Sequence, residues 1–129
     1  MIDAQRVDFI AVPTKDPERA ARFYGETLGL PKNPNSTDKW VEFETGNVTL
    51  ALVGPEQIGL EFAPLPFGTI VIRVPDVDAA KAELQERGVE FVRETWDSGV
   101  CKGAAFKDPD GNGLALHHRY APYRDGTQP

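Results

Sequence analysis

The chain has 129 residues, of which 40% are hydrophobic and 26% charged, and its formal net charge at pH 7 is −6. This length fits one domain with its own core, and no apolar run approaches the ~20 residues of a membrane span. The acidic balance disfavours nucleic acid and anionic membranes as partners, and the first residues lack the apolar segment of a secretory signal. We therefore expect a cytoplasmic protein that binds small molecules or other proteins. A lone cysteine, Cys101, excludes an internal disulfide and a zinc site built on several thiolates of one chain.

The first half of the chain predicts a β-α-β-β-β order. Asp16 followed by Pro17 is typical of a helix start, and Gly29 is the expected helix end. Alternating residues, together with a Gly46-Asn47 turn, predict the strands. They are expected at 6–13, weakly near Pro31, at 40–44 and at 48–53.

The second half repeats this order, with a helix from Asp76 to Gly88. Sixty residues separate Asp16 from Asp76, and 64 separate Ala51 from Ala115, so the spacing indicates an internal repeat. Strands are expected at 69–74, 89–96, 100–107 and 113–120. One domain over 1–129 would then comprise a βαβββ unit at 6–63, a linker at 64–66, a second unit at 67–120 and a frayed tail at 122–129.

Side chains alternate across a strand, so each repeat strand can be sorted into two faces. One face is uniformly large and aliphatic and is expected to pack under the helices. The opposite face is mostly small, with Ala11, Thr49, Ala51, Thr69 and Ala115. Because small residues leave space, this face predicts a cavity, whose larger lining residues would be Phe9, Val71, Arg73 and His117. Alternatively, the small residues only let two sheets approach closely.

Five segments carry a resemblance to a known family. They are Asp-Pro-Glu-Arg-Ala-Ala-Arg-Phe-Tyr at 16–24, Leu-Gly-Leu at 28–30, Val-Pro-Asp-Val-Asp-Ala-Ala at 74–80, Arg-Gly-Val at 87–89 and Asp-Pro-Asp-Gly-Asn at 108–112. The chain resembles the vicinal oxygen chelate superfamily over about residues 6–120; this superfamily includes glyoxalase I, bleomycin resistance proteins and extradiol dioxygenases. The resemblance implies an α+β fold in which two tandem βαβββ units pair, within one chain or between two, into a curved mixed sheet around a cleft.

The resemblance also implies where a divalent metal would be held. The four ligand positions of the superfamily fall on Phe9, Ala51, Thr69 and Ala115. Phenylalanine and alanine have no lone pair to donate, and a threonine hydroxyl is a weak ligand by itself. We therefore predict no metal and no cofactor. A relocated site would have to draw on His117, Cys101, Glu42, Glu44 or Glu61.

These observations predict a metal-free small-molecule binding protein of the bleomycin-resistance type, which forms a homodimer and has no catalytic residue. The ligand is expected to contact Phe9, Trp40, Ala51, Thr69, Val71, Arg73, Trp96, Ala115 and His117. Two other readings stay open: a glyoxalase- or dioxygenase-class enzyme (lyase, isomerase or oxidoreductase) with a relocated or absent metal, and a regulatory module.

Several of these residues have a plain structural alternative. His117 is either a structural histidine or a polar group of the site, and Cys101 is either a small buried residue or a nucleophile. The two tryptophans would either stack on a ligand or pack in the core or a dimer interface. Glu42 and Glu44 are expected on a solvated strand face.

Overall fold

The structure is a computed structural model that describes residues 1–129. It confirms the α+β class, because two helices accompany two mixed sheets, one of three strands and one of four. The chain divides into two compact units, Met1–Ala63 and Pro64–Pro129. None of its helices has the length and apolar character needed to cross a membrane.

The first unit contains one helix and three strands. Its elements are β1 (Phe9–Pro13), α1 (Pro17–Arg22), a π-helical turn (Phe23–Thr27), β2 (Val41–Glu44), β3 (Thr49–Val53) and a 3-10 turn (Pro55–Ile58). The strand order is β1-β3-β2, with β1 parallel and β2 antiparallel to β3. The parallel pairing follows because a helix, and not a hairpin, connects β1 to the rest of the sheet.

The helix begins as predicted but does not continue regularly to Gly29. The Asp16 carboxylate accepts the Arg19 N–H at 3.2 Å, which caps α1. After Arg22 the helix widens, and the Leu28 N–H donates to the Phe23 carbonyl at 2.9 Å. Gly29 then ends the element with φ +73°. The expectation of one regular helix is therefore corrected to a short α-helix extended by a wide turn.

The core of the first unit lies between this helix and the aliphatic face of its sheet. Tyr24 is fully buried, and its ring centroid lies 6.3 Å from that of Phe43 on β2. Val12 and Leu50 are buried on the same side of the sheet. Gly25 permits this packing, because a Cβ there would approach the Phe43 ring to 3.1 Å. The strand expected near Pro31 is reduced to a bridge between Lys32 and Phe43, since proline has no N–H for a ladder.

The second unit contains one helix and four strands. Its elements are β4 (Ile70–Arg73), α2 (Val77–Glu86), β5 (Trp96–Asp97), β6 (Cys101–Lys107) and β7 (Gly113–Arg119). The strand order is β4-β7-β6-β5, and only the β4–β7 pair is parallel. The Asp76 carboxylate caps α2 by accepting the Ala79 N–H at 3.0 Å. The strand expected over 89–96 is only a bridge between Phe91 and Phe106, followed by the two residues of β5.

The turn between β6 and β7 also binds the segment that precedes β4. Asn112 is fully buried, and its side-chain amide donates to the Asp108 carboxylate at 2.7 Å. Its oxygen accepts the Leu65 N–H at 2.8 Å, and the Gly113 N–H donates to the Leu65 carbonyl at 2.8 Å. Residues 64–66, expected as a linker, are therefore attached to the second unit by hydrogen bonds.

The tail expected to fray at 122–129 forms a turn. The Tyr123 N–H donates to the Thr127 carbonyl at 2.8 Å. The Arg119 guanidinium donates to the Ala121 and Pro122 carbonyls and lies 4.7 Å from the centroid of the Tyr123 ring. These contacts tie the tail to the end of β7.

Candidate functional site

Strand register sorts the first sheet as the alternation predicts. Ala11 pairs with Ala51 and Phe9 with Thr49, so all four side chains lie on the face opposite α1. The antiparallel pairing places Glu42 beside Ala51 on this same face. The face has small residues at its centre with larger side chains around them.

Two aromatic residues of this face contact each other. The rings of Phe9 and Trp40 pack edge to face with centroids 5.5 Å apart. Phe9 remains 46% exposed, whereas Ala51 has no exposed surface. A ligand on this face would therefore contact the aromatic rings, while Ala51 supplies no open surface as it stands.

The sequence suggested that Glu44 lies on a solvated strand face, but its carboxylate is bound by other side chains. Both of its carboxylate oxygens accept the Thr49 hydroxyl, at 2.9 and 3.0 Å, and one also accepts the Asn33 amide at 2.8 Å. Glu42 is half-buried beside it. Strand parity could have predicted the contact with Thr49, because Glu42 pairs with Ala51 and Glu44 pairs with Thr49.

The second sheet has an equivalent face, again opposite its helix. Val71 pairs with Ala115, which pairs with Ala105, and this row is small at its centre. Val71 is 48% exposed, whereas Ala115 is buried at 5%. The next row runs from Arg73 on β4 through His117 on β7 and Gly103 on β6 to Trp96 on β5, which places three predicted site residues in line.

The Trp96 side chain lies over the backbone of Gly103. A Cβ on Gly103 would lie 2.0 Å from Cζ2 of Trp96 and 2.4 Å from both of its bonded neighbours, Cε2 and Cη2. Equal distances to the two neighbours, only slightly longer than the first, mean that the ring turns its face toward Gly103. The absence of a side chain at residue 103 is what allows this stacking. Trp96 nevertheless stays 38% exposed.

Arg73 is exposed at the other end of this row. Its guanidinium donates to the main-chain oxygen of Pro129 at 3.0 Å. His117, on the strand between, is half-buried on the same face. The row therefore combines an aromatic ring at one end with a permanent cation at the other.

His118 and Cys101 occupy different faces. The His118 Nδ1 lies 3.0 Å from the Val74 carbonyl, which can only accept, so Nδ1 carries the proton. The register, which pairs His117 with Gly103 and His118 with Lys102, confirms that the two histidines point to opposite faces. Cys101 is half-buried at the start of β6, on the face of Gly103.

Beside Trp96, Asp97 and Tyr120 share a hydrogen bond that shifts the pKa of both groups. The Tyr120 hydroxyl donates to the Asp97 carboxylate at 2.7 Å, and the Gly99 N–H donates to the same oxygen at 2.9 Å. The Tyr120 bond, followed by the Gly99 bond, lowers the pKa of Asp97 below its usual value. The same bond to Asp97 raises the pKa of the Tyr120 phenol.

The residues expected at the superfamily's ligand positions, Phe9, Ala51, Thr69 and Ala115, have side chains that do not fit a divalent metal. Phe9 and Ala51 are diagonal neighbours on one face of the first sheet, and Thr69 directly precedes β4, in which Val71 pairs with Ala115. The Thr69 hydroxyl donates to the Pro66 carbonyl at 2.8 Å. No three His, Cys, Asp or Glu side chains cluster as metal ligands would elsewhere in the chain.

The first unit also contains a cavity that sequence reasoning missed. Its volume is about 250 Å³, and none of its lining residues was a predicted site residue. The lining comes from Thr14, Lys15, Pro17, Asp38, Lys39, Val41, Leu52, Gly54, Glu56 and Gln57. Apart from Pro17, which belongs to the helix start, no motif marks these residues, because they come from separate loops and strand ends.

Comparison with known proteins decides the family. The model of the Glyoxalase/Bleomycin resistance protein/Dioxygenase superfamily matches residues 6–116. The chain belongs to this superfamily. The resemblance seen in the sequence is thereby confirmed over nearly the whole chain.

Relatives within the superfamily differ in their described roles. A Mycolicibacterium smegmatis protein described only as uncharacterized is 30% identical over 112 residues, which cover 86% of this chain and 91% of that protein. The antibiotic binding protein TnmS3 of Streptomyces sp. CB03234 is 28% identical with a TM-score of 0.76, covering 92% of this chain and 99% of TnmS3. A lactoylglutathione lyase of Agrobacterium tumefaciens is 20% identical with a TM-score of 0.72, covering 89% and 94%; at that identity the likeness shows the fold alone. Superfamily membership therefore leaves binding and catalysis both open.

Proposed function

We propose that the chain is a small-molecule binding protein that holds an organic ligand without a metal ion. The supporting observation is that Phe9, Ala51 and Ala115, at three of the four positions where the resemblance places metal ligands, have no lone pair to donate. At the fourth position the Thr69 hydroxyl is a weak ligand by itself and donates to the Pro66 carbonyl. Metal-dependent members need that ion to polarise the substrate. A binding protein needs only an apolar surface with a few polar anchors.

The side chains around these positions suit such binding. Phe9 with Trp40 in the first unit, and Trp96 with Val71 in the second, are large apolar groups left partly exposed on the faces opposite the helices. Arg73, His117 and Thr69 add hydrogen-bonding groups to the second face. The likeness to TnmS3, an antibiotic binding protein, supports this reading over catalysis.

A ligand screen by thermal shift tests the proposal. A ligand present at 100 times its Kd stabilises the folded state by about 2.7 kcal/mol, which raises the melting temperature by several degrees. We expect binders among heteroaromatic compounds, and the same shifts after exhaustive treatment with EDTA. Stoichiometric Ni, Zn, Mn or Fe in the purified protein, lost when Glu44→Ala is introduced, would refute metal-free binding. The same holds if every ligand shift disappears with EDTA.

We also propose that the chain is a cytoplasmic homodimer that binds neither nucleic acid nor membranes. Isologous dimers are the commonest symmetric assemblies, the free Cys101 is compatible with a reducing compartment, and the net charge of −6 repels polyanions. Solution scattering at micromolar concentration tests the assembly, and a monomeric mass refutes it. Binding to duplex DNA or to phosphatidylserine vesicles would refute the exclusions.

A further inference from the structure

Charge is distributed unequally between the two sheet faces that lie opposite the helices. In the second unit, strand parity places Arg73, Lys107 and Arg119 on this face, with no carboxylate in the strands beside them. The equivalent face of the first unit carries Glu42 and Glu44 and no cation. In a chain of net charge −6, a face whose strands carry three cations and no carboxylate is suited to an anion.

The same face of the second unit presents a flat apolar surface. Gly103 covers one face of the Trp96 ring, so the ring is held parallel to the sheet and its other face points away from the sheet. Aromatic rings stack on such a surface. Asp97, the next residue in the chain, pairs with Lys102 and so points to the opposite side of the sheet, where its carboxylate accepts the Tyr120 hydroxyl.

The distance between ring and cation suits a small molecule. The Trp96 ring lies over β6, and Arg73 starts from β4, two strand spacings or about 10 Å away. The long arginine side chain can span much of that gap, and His117 lies on the strand between. A bicyclic ring with an attached acid is therefore long enough to touch both ends.

The Arg73 guanidinium already has one hydrogen-bond acceptor. The main-chain oxygen of Pro129 accepts its N–H at 3.0 Å. Arg119, in contrast, donates to two carbonyls of the adjacent chain and stacks on Tyr123. Arginine binds carboxylates through charge-assisted hydrogen bonds, which are about twice as strong as neutral ones. Arg73 can therefore bind a ligand carboxylate in competition with the Pro129 oxygen.

We propose that the second unit binds a planar aromatic carboxylate, with its ring stacked on the outer face of Trp96 and its carboxylate on Arg73 in place of the Pro129 oxygen. This assignment rests on the proposed binding function and specifies the ligand class for one of its faces.

Calorimetric titration of the full chain with 2-naphthoate and with its neutral analogue 2-naphthamide tests the assignment. We expect 2-naphthoate to bind about 10-fold tighter, because only the anion gains the charge-assisted bonds. Arg73→Gln should remove this preference and leave 2-naphthamide unaffected. Trp96→Leu should lower the affinity for both compounds. Lys102→Gln is the matched control, because it removes one positive charge from β6 on the helix side, where Lys102 pairs with Asp78 at 2.6 Å, and it should change neither affinity.

Three results would overturn the assignment. They are equal affinities of the wild type for 2-naphthoate and 2-naphthamide, a preference for 2-naphthoate that persists in Arg73→Gln, or a loss of 2-naphthoate affinity in Lys102→Gln as large as that in Arg73→Gln. Circular dichroism of each variant establishes that it folds, and Arg73→Lys, which keeps the charge, provides a second variant with an expected intermediate preference. If the thermal-shift screen finds ligands whose affinity is unchanged by substitution of Arg73 and Trp96, the binding function stands and this assignment fails. If neither experiment finds a ligand, both fail.

Discussion

Placing a methyl group on Gly103 tests the stacking of Trp96. In Gly103→Ala the new Cβ would lie 2.0 Å from a ring carbon, far inside van der Waals contact, so the indole must leave the sheet. One face of the ring, roughly 60–100 Å² of the 150–250 Å² that a buried aromatic residue hides, would lose its cover. At about 25 cal/mol per Å² the loss is about 1.5–2.5 kcal/mol of unfolding free energy.

A double-mutant cycle isolates this effect from the intrinsic preference of the backbone. In a Trp96→Ala background the clash is absent, and Gly103→Ala should be neutral or stabilising by about 0.5 kcal/mol, because alanine loses less backbone entropy than glycine on folding. Urea unfolding of the wild type, both single variants and the double variant gives the coupling. We expect at least about 1.5 kcal/mol. A Gly103→Ala variant as stable as wild type, or as costly without Trp96 as with it, would refute the stacked geometry.

Two further predictions concern the second unit. Asn112→Ala should lower the unfolding free energy in urea by about 2–4 kcal/mol, because it removes the buried bonds to Asp108 and leaves the Leu65 N–H without its acceptor; a loss below about 1 kcal/mol would contradict this role. Tyr120→Phe should raise the pKa of Asp97, since the main cause of its lowering is removed. A lowered carboxyl pKa stabilises the fold above the unfolded-state pKa and loses that contribution as pH falls through the folded-state value, so the variant should lose it at a higher pH. Carboxyl-carbon NMR titration measures the change, and an unaltered Asp97 midpoint would show that the hydroxyl is not the cause.

Much of the fold could be predicted from local pattern. The caps at Asp16 and Asp76 and the ends at Gly29 and Gly88 follow from backbone chemistry that acts within one helical turn. Period-two alternation assigned the strand faces correctly, because pairing register preserves parity across a sheet. Where alternation is missing, the strand prediction was poor. The segment near Pro31 has no period-two alternation, and in the structure it forms only a bridge.

The candidate site could be predicted only in part. Strand parity placed Arg73 and His117 on one face, but neither composition nor spacing indicated that Trp96 lies over Gly103. Glu44 was read as solvated, although Thr49 and Asn33 bind its carboxylate. The cavity lined by Lys15 and Lys39 had no signal at all, because its walls come from segments distant in the chain.

The sequence by itself determined the superfamily, the repeated order of elements and the absence of any strong metal ligand at residues 9, 51, 69 and 115. These properties depend on residue identity and on spacing along the chain, which need no folding to be read. Only the tertiary structure decided which side chains become neighbours across strands, such as the row that joins Arg73 to Trp96. That row depends on strand order, and strand order is set by how the whole sheet buries its aliphatic face beneath the helix.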